Sequence, residues 1–97
     1  MIAVVILNWN GAEMLRRFLP SVVEHSHPLG EVIVADNGST DNSLEILQQE
    51  FPEVRTLVLD RNYGFAEGYN EAFRRLEIIA PQRYEYYLLL NSDVRVT

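Results

Sequence analysis

Cysteine is absent from the chain, so neither a disulfide nor a thiolate-held metal site can form. Positive charge is scarce. Eight Lys and Arg stand against 14 Asp and Glu, giving a net charge of −6 and a pI near 4.7. Such a surface repels phosphate backbones and excludes nucleic-acid binding through a basic face. An anionic ligand would need backbone N–H groups, a helix N-terminus or a metal ion. Long apolar runs are missing too: no segment approaches the roughly 18 residues that suggest a membrane span. The opening Met1-Ile2-Ala3-Val4-Val5-Ile6-Leu7 has no basic leader and passes directly into Asn8-Trp9-Asn10-Gly11, so it reads as a buried strand rather than a signal peptide. These features point to a cytoplasmic chain. Repeats, linkers and low-complexity stretches are also lacking. The 97 residues fit one small domain, and 47% hydrophobic content supplies a core, although a domain this size hides less of its surface than a larger one.

What is present is an alternation of two periods. Four short apolar runs stand out: Ile2 to Leu7, Glu31 to Ala35, Val54 to Leu59 and Tyr86 to Leu90. The first three are β-branched and nearly continuous, the pattern of strands buried on both faces of a parallel sheet. Between them the spacing turns helical. Met14, Leu15, Phe18, Leu19, Val22 and Val23 mark a first helix, in which Pro20 predicts a kink or restart near Leu19. Leu44, Leu47 and Phe51 mark a second, with Asn42 and Glu45 spaced for a variant capping box and Pro52 beyond its end. Phe65, Tyr69, Ala72, Phe73, Leu76 and Ile79 mark a third, with Pro81 past its last turn. Strands alternating with helices make βαβ units, whose right-handed crossovers put helices on both faces.

Each predicted strand gives way to an Asx residue: Asn8, Asp36, Asp60, and Asn91 with Asp93 close behind. In a parallel sheet all C-terminal strand ends lie along one edge, where open α/β sheets bind ligands. Asn and Asp form turns and caps, so any one of these has an ordinary structural explanation. The set of four, with its acidic clusters, points to a site. Asp36 sits at a strand tip, where a carboxylate can accept from a nucleobase N–H or ribose hydroxyls, while Ser39, Thr40, Asp41 and Asn42 suit a helix cap. Asn62 is placed either to cap the third helix or to face a ligand. Asn91-Ser92-Asp93 offers one carboxylate and one amide. That suits Mg²⁺ or Mn²⁺, which binds through one or two carboxylates plus substrate phosphates and waters. Phe65 and Tyr69 read as core, and Trp9 as packed under the rim. Arg16, Arg17, Arg74 and Arg75 read as exposed, and His25 and His27 as solvated.

Four segments together resemble family 2 glycosyltransferases, most closely the rhamnosyltransferase-like branch. They are Val4 to Gly11, Val32 to Asp41, Asn62 to Asn70, and Leu88 to Val94. The resemblance spans essentially the whole chain. It implies a three-layer, Rossmann-like parallel sheet of the nucleotide-diphospho-sugar transferase (GT-A) type. It implies a UDP- or dTDP-sugar donor, a divalent cation (Mg²⁺ or Mn²⁺), and transfer with inversion to the hydroxyl of a glycan or lipid-linked acceptor, at the inner face of the membrane in a full-length enzyme. By position, Leu7, Asn8, Asp36 and Asn37 would line the nucleoside site. Asn62 and Gly64 would lie near the donor, and Asn91 and Asp93 would occupy the DXD-type motif with Asp93 as metal ligand. Many members carry Asp-Asp where this chain has Asp36-Asn37, and the motif here reads Asn-Ser-Asp. Members continue with an acceptor-binding part that carries the catalytic base, whereas the sequence stops at Thr97. The expectation is therefore a donor-binding fragment over residues 1–97, with the acceptor-binding part absent, no catalytic residue and little activity alone.

Two other classes compete. A non-catalytic α/β assembly module would self-associate through the open edge of the fourth strand. A receiver domain or dinucleotide-binding domain would need an acidic pair or a glycine-rich turn after the first strand. Asn8-Trp9-Asn10 provides neither, and only Gly11 follows.

Overall fold

The computed structural model describes residues 2–26 and 30–91, the last through its backbone alone. Its elements are β1 (Ile2–Asn8), α1 (Ala12–Ser26), β2 (Gly30–Asp36), α2 (Ser43–Glu50), β3 (Arg55–Val58), α3 (Phe65–Ile79) and β4 (Tyr86–Asn91). All strand pairs are parallel and the order is β3-β2-β1-β4.

Side chains alternate across a strand, so β1 and β2 each feed two cores. Ala3, Val5, Leu7, Ile33 and Ala35 face α3 and pack with Tyr69, Ala72 and Leu76. Val4, Ile6, Val32 and Val34 face the other way, onto Leu15 and Leu19 of α1 and Ile46 and Leu47 of α2. Burial on both sides explains why these strands read as continuous apolar runs. At about 1.5–3 kcal/mol per fully buried aliphatic side chain, these two layers dominate the stabilisation. The outer strands are less covered: Val58 on β3 and Tyr86, Leu88 and Leu89 on β4 are each about half exposed or more.

Two local expectations are corrected. α1 continues through Pro20 as one helix, without a restart near Leu19. Pro20 is exposed, while Leu15 and Leu19 are held in the core. The capping box at α2 does not form, since Asn42 makes no side-chain cap bond. Asp41 does that work instead, accepting from the Ser43 N–H at 3.0 Å and from the Ala12 N–H of α1 at 3.2 Å.

At the N-terminal end of the sheet, Glu31 of β2 is a hub. It accepts from Arg55 Nε at 2.9 Å, Arg83 Nε at 3.2 Å and the Tyr84 hydroxyl at 2.8 Å. Burial pushes its carboxyl up, but the bonds from Arg55, Tyr84 and Arg83 outweigh burial and hold it below the usual carboxylate range.

Candidate functional site

The C-terminal rim is assembled from three loops. In the parallel register Asn8 lies beside Asp36, and Leu7 beside Asn91. This brings together residues far apart in sequence. Asn8 Nδ2 donates to Asp36 Oδ1 at 3.0 Å, and both residues are almost fully buried. The Asp36 carboxylate also accepts from Ser39 Oγ at 2.6 Å and from Ser39 N at 3.0 Å. Asp36 is thus fixed at the strand tip by an amide, a hydroxyl and a backbone N–H. Among the described residues, Asn8 Oδ1 is the one buried side-chain polar atom without a partner. It faces Gly11, where an added Cβ would lie 2.5 Å away.

Asn10 ties the loop after β1 to the loop after β2. Its Oδ1 accepts from Thr40 N at 2.7 Å and Asp41 N at 3.1 Å, and its own N–H donates to Ser39 Oγ at 2.9 Å. Asp41 is pushed up by burial, but the Ser43 bonds and the Ala12 N–H outweigh that and bring it below the ordinary range.

Asn37 ties the loop after β2 to the loop after β3. Its Oδ1 accepts from Tyr63 N at 2.9 Å, while Nδ2 donates to Gly64 O at 3.0 Å and Asn62 Oδ1 at 3.2 Å. Asn62 Oδ1 accepts in turn from Gly64 N at 2.7 Å. Gly38 makes the approach possible. Its φ is +76°, and a Cβ there would meet Asn62 N at 2.6 Å. The far side of this loop is held by Asp60, which accepts from the Tyr63 hydroxyl and, at 2.8 Å, from Arg75 Nη2. The Tyr63 bond and then Arg75 draw the Asp60 carboxyl below its ordinary value.

The predicted residues thus fall as follows. Asn8, Asp36, Asn37, Asn62 and Gly64 meet in one network at the rim. Leu7 lies beneath it in the core, against Gly68 of α3. Asn91 ends β4, next to Leu90, whose carbonyl accepts the Tyr69 hydroxyl at 2.7 Å. Asp93 lies outside the described residues. The described residues contain no group of three or more His, Asp or Glu side chains placed to hold a metal ion. Asn10, Ser39, Tyr63 and Arg75 were not expected in the site. Their signal was present as polar residues in the strand-end loops, but their partners were not. Arg75 is half-buried rather than exposed, because Val58 O, Asp60 and Glu71 all take its guanidinium. Trp9 and Phe65 are corrections as well: Trp9 is 53% exposed instead of packed under the rim, and Phe65 is 60% exposed instead of in the core.

Comparison with known proteins supplies the family. The model of Glycosyl transferase family 2 matches residues 3–96. An N-acetylglucosaminyl-diphospho-decaprenol L-rhamnosyltransferase of Mycobacterium tuberculosis is 30% identical, over 95% of this chain and 32% of its own length. Among solved structures, S. aureus TarS 1–349 in complex with UDP-GlcNAc superposes with a TM-score of 0.73 at 25% identity, over 95% of this chain and 26% of that one. A mannosyltransferase from Pyrobaculum calidifontis in complex with GDP-Man and Mn²⁺ superposes with a TM-score of 0.63 at 23% identity, over 76% of this chain and 24% of that one. The chain spans between 21% and 36% of the length of the curated relatives it matches. Its four-stranded parallel sheet with helices on both faces is of the GT-A type, and the chain belongs to glycosyl transferase family 2.

Proposed function

We propose that residues 1–97 form the donor-binding part of an inverting glycosyltransferase, in which a sugar passes from a nucleoside diphosphate to an acceptor hydroxyl. One observation carries this reading. The order β3-β2-β1-β4 places a topological switch between β1 and β4, because the chain runs outward from β1 through β2 to β3 and then crosses back to the far side of β1 to form β4. Open α/β sheets bind ligands in the crevice at such a switch, outside the carboxyl ends of the strands. Leu7, Asn8 and Asn91 flank that crevice, with Asp36, Asn37, Asn62 and Gly64 along its rim. Two similar proteins support a nucleotide-sugar donor: one is named as an L-rhamnosyltransferase, and TarS is seen with UDP-GlcNAc.

On this reading Leu7, Asn8, Asp36 and Asn37 support a UDP or dTDP nucleoside, while Asn62 and Gly64 lie toward the diphosphate-sugar. Asp93, with Asn91 beside it, would hold Mg²⁺ or Mn²⁺. A single carboxylate and an amide suit a hard cation that takes its remaining ligands from phosphates and water. When bound, the cation neutralises charge on the departing diphosphate. The acceptor, a glycan or lipid-linked hydroxyl, is handled in the cytoplasm at the inner face of the membrane.

The single Trp9, exposed beside the rim, makes the test direct. Titrating UDP and dTDP with and without Mn²⁺ should change its fluorescence, with tighter binding when Mn²⁺ is present. A folded sample that binds neither nucleotide under either condition overturns the proposal.

The apolar surface of β4 favours a second reading, an assembly module. Tyr86, Leu88 and Leu89 are exposed on a strand that pairs on one side only among the described residues. That reading requires a dimer by light scattering and nucleotide binding indifferent to Asp93→Ala.

A further inference from the structure

We infer that Asn37 is a positioning residue. Its amide sets the loop of residues 60–64, and with it the start of α3, through bonds that a carboxylate of the same shape cannot make. The functional consequence rests on the donor-binding reading above, but the geometry does not. Asn37 is 3% exposed, and its orientation is dictated by its partners. The Tyr63 N–H can only donate, so Oδ1 must face it. The Gly64 carbonyl can only accept, so Nδ2 must face that. The second amide hydrogen goes to Asn62 Oδ1, which also holds the Gly64 N–H. One side chain therefore grips three consecutive residues of another loop. The backbone of Asn37 is itself pinned, donating to Asn8 O at 2.7 Å.

The surroundings leave this amide little freedom. An added Cβ at Gly68 would lie 3.0 Å from Asn37 Nδ2, so α3 closes over the side chain. Gly64 directly precedes α3, whose first N–H groups have no partners within the helix. Moving the Gly64 peptide re-aims those groups along the rim. In Asn37→Asp the Tyr63 N–H keeps its acceptor, but a carboxylate oxygen then faces Gly64 O and Asn62 Oδ1, acceptor against acceptor. The buried loop–loop contact becomes repulsive and residues 62–64 move outward.

Amide hydrogen exchange on ¹⁵N-labelled chain, without nucleotide, tests the contact. Asn37→Asp should speed exchange of the Gly64 amide by about tenfold, the scale of a lost buried hydrogen bond, while Val5 and Ile33 in the sheet centre keep their protection. Should that variant fail to fold, Asn37→Ala introduces no repulsion and should speed the Tyr63 amide similarly. Unchanged exchange at Tyr63 and Gly64 in a folded variant overturns the inference.

Affinity provides the functional arm. A residue acting through the loop lowers affinity for UDP, dTDP and GDP by one common factor, whereas a direct base contact changes the preference among them. A loss confined to one base therefore also overturns it. If the unsubstituted chain binds no nucleotide, the donor-binding reading fails while the exchange result still decides the role of Asn37.

Discussion

At the scale of single residues, the central pair is Asn8 and Asp36. Asn8 donates to a carboxylate that is 1% exposed, and a buried carboxylate is tolerable only while its oxygens are hydrogen-bonded. Asn8→Asp keeps the shape but replaces the donor by a second acid 3.0 Å from the first. Two such charges cannot both remain ionised, so the variant must take up a proton or unfold. Asn8→Ala leaves the two Ser39 bonds in place and removes an oxygen that has no partner. Asn8→Asp should therefore cost about 3 kcal/mol or more near neutral pH, the scale of an uncompensated buried charge, and Asn8→Ala only about 1–3 kcal/mol. Urea unfolding of both variants checks the ranking, and equal midpoints would contradict it. The residues of this pair were legible in the sequence as strand-end Asx. Their bond was not, because it depends on β1 and β2 being neighbours in register. For the same reason Asn37 and Asn62 could be singled out separately while their connection could not. Trp9 and Phe65 were misjudged because an aromatic at a loop or helix start carries no local sign of whether anything covers it.

At the scale of elements, α3 shows propensity and packing in opposition. Gly68 lies in the first turns of a 15-residue helix, where Ala is favoured over Gly by about 1 kcal/mol. A Cβ at that position, however, would stand 2.9 Å from Leu7 Cδ2 and 3.0 Å from Asn37 Nδ2. Leu7 is held in the core and Asn37 in its loop contacts, so neither yields easily. Overpacking of this kind costs about 1–3 kcal/mol, which exceeds the propensity gain. Gly68→Ala should thus lower the melting temperature and weaken nucleotide binding together, through Asn37. A rise in melting temperature would show that α3 can shift away from β1 without loss. The elements themselves were readable because two-sided burial writes continuous apolar runs and one-sided burial writes helical spacing. Their ends were less so. Asp41 rather than Asn42 caps α2, a choice made by the additional Ala12 N–H that only the folded chain brings near.

At the scale of the whole molecule, the sheet has two different ends. Strand order was beyond the sequence, since nothing local distinguishes β3-β2-β1-β4 from its permutations, and the switch beside β1 follows from that order alone. The C-terminal end gathers amides and loops. The N-terminal end is tied by Glu31, which joins β2 to Arg55 of β3 and to Arg83 and Tyr84 ahead of β4. This hub makes stability depend on pH in a stated direction. Although burial alone would raise the Glu31 carboxyl, its three partners hold it below the unfolded value. A lowered folded value means that the unfolded chain binds the proton more readily. The contribution is complete above the ordinary glutamate range and disappears as pH falls through the folded value. In Glu31→Gln that part of the dependence vanishes, while Arg55 and Arg83 lose their charged partner at every pH. Urea unfolding of both chains, followed from neutral pH into the acid range, should give curves that differ most at neutral pH and converge on acidification. Parallel curves would mean that Glu31 contributes no more folded than unfolded, and that the N-terminal end of the sheet is held by its apolar layers alone.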